Sequence, residues 1–428
     1  MKLKSKARKI GFGLLTLPLL IAGNINAEES VEERIKRLEA MVTELKQVVK
    51  EQKKAAMKKE KKEKKASKSS GAKHSYKFGG FIKATATWND TSAGDIGANS
   101  GLRDFYIPGA IPVGGSGAED FDFGAKESRI GFKSSHQLEN GDKLTTNIEF
   151  DFLLPPGGNE RVSNSYNPRL RHAYFTYNQW LFGQGWSTFQ NVGALPEAVD
   201  FLGSPEGIIF NRQSMIRYTS GPWQFALENP ETTITPYGGG GRIVTDDNGM
   251  PDLVIRYNHK ADWGHVTASA LMRQLAYDNS GSDETESSVG FSISGKFKVG
   301  AKDDIRFNYN TGGGLGRYSA LNTANGAVLD AMGNLHAIDS TNGMVAYRHV
   351  WGDGWRSNLI YSAMEIDNDA ALTGTGVTQR VSSIQANLLY SPVPKVTFGV
   401  GILDATRELY SGAEGDLTRL IFTAKYAF

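Results

Sequence analysis

The sequence predicts an all-β chain: a 16-stranded antiparallel transmembrane β-barrel preceded by a short N-terminal coiled-coil helix. Three observations carry this reading. Residues 75–428 alternate apolar and polar side chains with period two. The connections between these runs alternate between short turns and long loops. After Ala27 no apolar run approaches the ~18 residues that a membrane helix needs.

Composition sets the outer bounds. The chain has 428 residues, 49 glycines, no cysteine and a formal net charge of +2. Zero cysteine excludes a disulfide scaffold, thiolate metal ligation and thiol nucleophiles. The net charge hides a division. Residues 28–73 carry 15 basic and 9 acidic side chains, whereas 74–428 carry 28 and 37. The large domain is therefore acidic, and a nucleic-acid partner is not expected.

Residues 1–27 read as a secretory signal. Lys2, Lys4, Lys6, Arg8 and Lys9 precede an apolar stretch from Ile10 to Ala22, and Ala27 offers a small residue at a cut site. An uncleaved amphipathic anchor is the alternative. Residues 28–56 hold a coiled-coil helix in the periplasm. Ile35, Val42, Val49 and Ala56 fall at a, and Val31, Leu38, Leu45 and Gln52 at d. β-branched a with Leu at d favours two strands, while Met41 and Val48 at g widen the stripe toward a trimer. A lone amphipathic helix on another surface is the bland reading. Residues 57–74 form a Lys-rich linker.

The barrel, 75–428, divides into sixteen strands near 76–89, 121–136, 143–153, 168–178, 180–187, 208–219, 223–229, 252–258, 264–277, 287–298, 303–311, 342–350, 354–364, 380–390, 395–403 and 416–428. The last shows the pattern best. Leu420, Phe422, Ala424, Tyr426 and Phe428 alternate with Arg419, Ile421, Thr423 and Lys425. Short turns include 139–142, 220–222, 351–353 and 391–394; long loops cover 90–120, 188–207, 230–251, 312–341 and 365–379. A barrel of this strand number leaves an aqueous channel. The apolar faces then meet lipid and the polar faces line water. Tyr76, Trp88, Trp180, Trp355, Tyr361 and Tyr390 are placed to form interfacial girdles.

Strand parity selects the pore-lining cations. They are Lys83, Arg129, Lys133, Arg171, Arg217, Arg256, Arg273, Lys296, Arg306, Arg348, Arg356, Arg419 and Lys425. Glu127, Glu149, Asp151, Glu228 and Asp252 are the fewer acids on the same faces. Such a wall favours anions and offers bidentate docking to carboxylate. The alternative is that many of these arginines pair with wall acids and stiffen the barrel. The third long-side loop, Thr188 to Gly207, is too apolar for a solvated loop. Folded inward, it would narrow the lumen, with Glu197 and Asp200 opposing the arginines. Packed on the rim or on another subunit, it would not.

The barrel region resembles the Gram-negative porins, and in particular the DcaP-like porins. The resemblance rests on Gly80-Phe81-Ile82-Lys83, Arg169-Leu170-Arg171-His172-Ala173-Tyr174 and Gly183-Gln184-Gly185-Trp186-Ser187-Thr188-Phe189. Leu195-Pro196-Glu197-Ala198-Val199-Asp200-Phe201, Ile216-Arg217-Tyr218-Thr219 and Phe225-Ala226-Leu227-Glu228-Asn229-Pro230 extend it, and the terminal Phe428 fits. The chain departs from the family pattern at Gly185 and at Arg212-Gln213-Ser214-Met215. The resemblance implies an outer-membrane homotrimer that takes up dicarboxylates, surrounded by lipid and lipopolysaccharide. The coiled coil is a candidate contact with peptidoglycan.

No enzyme, cofactor or metal site is expected. The seven histidines show no metal-ligand or Ser-His spacing. A barrel lipase would need Ser and His on the lipid face of adjacent strands, and His172 or His349 is the place to look. Asp278 to Glu286 reads as a solvated acidic loop tip, with calcium attraction as the alternative. Three functions remain: an anion-preferring diffusion channel, a structural barrel tethered by its coil, and a barrel enzyme.

Overall fold

The computed structural model describes residues 74–154, 158–159, 165–278 and 283–428, with Lys36, Ala40, Thr43, Gln47, Lys50 and Glu51. These six N-terminal residues are helical and exposed. The expected signal sequence, the a and d positions of the heptads and the linker up to residue 73 lie outside the described residues.

Sixteen antiparallel strands form the barrel. They are β1 (His74–Thr91), β2 (two segments, Ala118–Gly124 and Arg129–Gln137), β3 (Lys143–Asp151) and β4 (Arg169–Tyr177). β5 (Trp180–Trp186), β6 (Arg212–Ser220), β7 (Trp223–Glu228) and β8 (Asp252–Ala261) follow. Then come β9 (Gly264–Asp278), β10 (Asp283–Val299), β11 (Asp303–Gly313) and β12 (Asp339–Gly352). β13 (Trp355–Asp367), β14 (Thr378–Tyr390), β15 (Val396–Leu409) and β16 (Glu414–Ala427) complete the series. Each strand pairs with the next, and β1 pairs with β16 from Phe81↔Ala427 to Thr91↔Leu417, which closes the sheet. Closure leaves no free edge, as a strand in lipid requires.

The alternation seen in the sequence sorts the two faces. Leu420, Phe422 and Tyr426 point outward and are exposed, whereas Arg419, Ile421 and Thr423 between them are buried. Phe398, Val400 and Ile402 repeat this on β15. A slip of one residue would reverse every face, so the apolar outer set fixes the register. One end carries turns of five residues or fewer, at 138–142, 178–179, 221–222, 262–263, 300–302, 353–354 and 391–395. Aromatic pairs ring that end: Trp180 with Tyr218 (4.8 Å), Trp223 with Tyr257 (4.8 Å) and Trp355 with Tyr390 (4.3 Å).

The other end carries the longer loops: L1 (92–117), L2 (152–168), L3 (187–211), L4 (229–251), L6 (314–338) and L7 (368–377); L5 and L8 are short. L1 packs Leu102, Tyr106 and Ile111 onto Leu403, Ala405 and Leu417 of the inner wall. L6 sets Leu315 and Tyr318 against Ala226, Val254 and Leu271. L4 and L6 also share a four-stranded sheet built from Thr232–Thr235, Ile243–Thr245, Ala327–Leu329 and Leu335–Ala337.

One strand boundary differs from the sequence expectation in a way that matters. β6 begins at Arg212, not near 208. Ile208 and Phe210 pack with Leu202 on Met344, Ala346 and Ile360 of the inner wall. Their apolar character serves this inner packing, not contact with lipid.

Candidate functional site

L3 runs along the inner wall, and the cations singled out by parity hold it there. Arg256 of β8 donates to the Gln190 carbonyl at 2.6 Å. Arg306 of β11 donates to the Leu195 carbonyl and pairs with Asp304 at 2.7 Å. Arg356 of β13 grips the Glu197 carboxylate, Nε to Oε2 at 2.8 Å. Lys83 of β1 donates to the Val199 carbonyl and to Glu127, both at 2.7 Å. Arg419 of β16 pairs with Asp200 at 3.3 Å and also donates to Asn89 and to the Leu102 carbonyl of L1.

These contacts follow one physical rule. A loop folded inside a barrel must satisfy its own backbone carbonyls, and wall guanidinium groups carry several donors at fixed angles. Glu197 and Asp200 are therefore each in an ion pair with a wall arginine, Asp200 buried and Glu197 partly exposed.

Other members of the set are placed differently. Arg273 is buried, 3.4 Å from Asp252, and donates to the Gly314 and Glu231 carbonyls at the roots of L6 and L4. Arg348 pairs with Asp304 at 2.6 Å. Arg217 reaches the Thr188 hydroxyl at 3.5 Å, the limit of a hydrogen bond.

The tip of L3 turns toward a separate group on β2, β4 and β6. The Phe201 ring lies 5.5 Å from the Arg129 guanidinium, 5.9 Å from Arg169 and 5.4 Å from Arg171. Trp186 stacks under Arg212 at 4.6 Å and Arg171 at 5.6 Å. Phe210 bridges Trp186 (4.8 Å) and Phe201 (5.8 Å), and Phe105 of L1 lies 4.8 Å from Phe201. Guanidinium groups over aromatic faces are attracted by the ring quadrupole and keep their edges free for an anion.

A β-bulge shapes this group. Glu149 faces His172 and Phe150 faces Leu170, so Arg171 is the extra residue of β4. Arg171 and His172 both point inward as a result. Arg171 bridges Glu149 and Asp151, each at 2.7 Å. Arg169 holds the same Asp151 through two bonds at 2.7 and 2.8 Å. Arg129 and Arg212 form no ion pair among the described residues. Arg129 Nε and Arg212 Nη1 are buried and have no hydrogen-bond partner there. Four arginines against two carboxylates leave two positive charges unmatched.

The parity set includes Arg129 and Arg171 and omits Arg169 and Arg212. Arg169 shares the face of Arg171. Arg212 is the first residue of β6, opposite Trp186, where both strands end and the chain turns inward. The sequence signal that could have found it was its place in the segment departing from the family pattern.

The lipase reading is tested by geometry at two places. His172 lies on the lumen side. His349 faces outward opposite Ser357, and its Nδ1 lies 2.8 Å from Asp303. The Ser357 hydroxyl accepts from Trp351 at 2.8 Å, and no hydrogen bond joins it to His349 among the described residues. Nor does any group of three or more His, Asp or Glu side chains among them form a metal site.

The sequence profile described as DcaP outer membrane protein matches residues 27–428. No curated protein matches the chain. Several solved structures share the fold. The outer membrane channel DcaP of Acinetobacter baumannii aligns with a TM-score of 0.69 at 24% identity, over 84% of this chain and 99% of that one. The trimer form of OmpT of Vibrio cholerae gives 0.51 at 12%, over 83% and 99%. The anion-selective porin of Comamonas acidovorans gives 0.50 at 12%, over 83% and 100%.

Proposed function

The chain belongs to the DcaP outer membrane protein family and is an outer-membrane channel, and from that premise we propose that it selects small anions, dicarboxylates among them, at the arginine and aromatic group beside the tip of L3. The observation that carries this reading is the pair Arg129 and Arg212, which lack carboxylate partners while Arg169 and Arg171 have theirs. A dicarboxylate of succinate size would place one carboxylate on each, in charge-assisted hydrogen bonds. Phe201, Trp186 and Phe210 supply the apolar floor that lowers the local dielectric and strengthens both contacts.

On this reading L3 narrows the lumen and the remaining cations position it. Lys83, Arg256, Arg306, Arg356 and Arg419 then act on the solute through the loop they hold. The anion selectivity named for the Comamonas acidovorans porin and the trimeric form named for OmpT are in keeping with this reading. We read the protein as a homotrimer and a channel, not an enzyme. Residues 1–27 would be the signal, 28–56 a periplasmic coiled coil and 57–74 its linker. A barrel that is chiefly a structural tether is the second reading, supported by the width of the hydrogen-bonded loop packing inside the lumen.

The test is a planar bilayer under a KCl gradient. The unmodified channel should give an anion-selective reversal potential, and succinate should interrupt the chloride current. Arg129→Ala with Arg212→Ala should weaken succinate block about tenfold or more, since each charged hydrogen bond contributes about 1.5–3 kcal/mol. Block by a neutral sugar should change little. A cation-selective reversal potential in the unmodified protein would overturn the reading.

A further inference from the structure

A second site lies at the root of L3, away from the arginines. The single turn Pro205–Gly207 is wedged against β12 and β13. A Cβ on Gly207 would fall 2.3 Å from the Gly343 carbonyl oxygen and 2.4 Å from the Ser362 hydroxyl, so only glycine permits this approach. Asn342 of β12 donates to the Glu206 carbonyl at 2.7 Å, and Asn310 of β11 to the Gly207 carbonyl at 3.3 Å. The loop root is thus fixed by its backbone to the wall.

The Glu206 side chain enters this packed region and is 0% exposed. Ser383 of β14 donates to its Oε1. Its Oε2 has no hydrogen-bond partner, and the same is true of the Ser362 hydroxyl of β13 and the Tyr106 phenol oxygen of L1, both buried. No Lys, Arg or His forms an ion pair with it among the described residues. The groups facing it are the two serine hydroxyls of the wall and the Tyr106 phenol of L1. Arg419 acts on Tyr106 but is itself paired with Asp200.

A buried carboxylate without a cation is costly, whereas the neutral acid has a proton to donate to the unpartnered oxygens around it. We propose that Glu206 is a proton-controlled latch, whose neutral carboxylic acid seats the root of L3 against the wall and L1 and whose ionisation loosens it. Burial pushes this carboxyl up to about 7. It pushes the Tyr106 phenol well above its ordinary value, so that group stays protonated throughout. The seated loop therefore binds the proton more tightly than a solvated carboxyl does. Seating is at full strength below the ordinary carboxyl range. It weakens by about tenfold per pH unit from there to about 7, and the contribution is lost above that.

The experiment follows amide hydrogen exchange of L3 and current flicker in symmetrical KCl from pH 5 to 9. Both readouts stand whether or not the channel prefers anions. In the unmodified protein, exchange at residues 204–210, corrected for its intrinsic pH dependence, should rise at least tenfold between pH 5.5 and 8, with more flicker. Glu206→Gln should hold both at the low-pH level. Ser383→Ala removes the donor to the carboxylate Oε1 and should move the midpoint to higher pH. A pH-independent unmodified protein, an unchanged transition in Glu206→Gln, or an unmoved midpoint in Ser383→Ala would overturn the latch.

Discussion

Arg171 and Arg129 look alike in the sequence, one cation each on the inner faces of β4 and β2, with β3 between them. Their surroundings separate them. Arg171 is 1% exposed and pairs with the buried Asp151 and the half-buried Glu149. Removing it leaves Glu149 without its arginine and the buried Asp151 with Arg169 alone. Breaking a buried pair from one side costs about 3–5 kcal/mol. We expect Arg171→Ala to lower the stability of the folded barrel by that order, read as a loss of midpoint in urea unfolding from lipid vesicles. Arg129→Ala, with no ion pair to break, should leave the midpoint nearly unchanged. Equal losses in the two variants would show that Arg129 is structural as well.

L3 shows what an element adds to its residues. Its carbonyls at 190, 195 and 199 meet Arg256, Arg306 and Lys83, and its carboxylates at 197 and 200 meet Arg356 and Arg419. The apolar side chains Val199, Leu202, Ile208 and Phe210 fill hollows on the wall. Deleting residues 194–202 should therefore raise single-channel conductance and blunt discrimination between solutes, because it also removes Phe201. Unchanged conductance would mean that the conducting path avoids the loop. The deletion also leaves Arg306, Arg356, Lys83 and Arg419 without their loop partners, so anion preference should grow even as discrimination by size falls.

For the whole molecule, the charge of the 74–428 domain and the charge beside its lumen have opposite signs. The domain has nine more acids than bases, yet the site near Phe201 has two unmatched arginines. At physiological ionic strength the Debye length is ~8 Å, so charges farther than that from the lumen are largely screened there, and on the proposed reading the local arginines decide selectivity. Assembly is a second property at this scale. A coil over 28–56 would supply few buried side chains per chain, whereas the barrel offers a whole apolar wall. If the protein is the homotrimer proposed above, the chain lacking residues 28–73 should still assemble as a trimer in native mass measurement. A monomeric truncated protein would show that the coil holds the subunits together.

The sequence by itself determined the strand count, the face each strand turns to lipid and the sorting of short turns from long loops. These are period-two properties, and each strand is read from its own residues against two solvents. Leu420, Phe422 and Tyr426 needed no partner to be placed outward. Only the tertiary structure decided what the inner face does. Ala226, Val254, Leu271, Met344, Ile360 and Leu417 are apolar residues on a nominally polar wall, and each meets a loop that returns through the lumen. The same holds for Lys83, Arg256, Arg306, Arg356 and Arg419, which meet carbonyls and carboxylates of L3, distant in the chain. Arg212 and the Arg171 bulge lie where a strand ends or gains a residue, and there parity no longer fixes direction. Alternation is local and survives in one sequence. Loop docking joins residues far apart in the chain, so their pairing exists only once the barrel has closed.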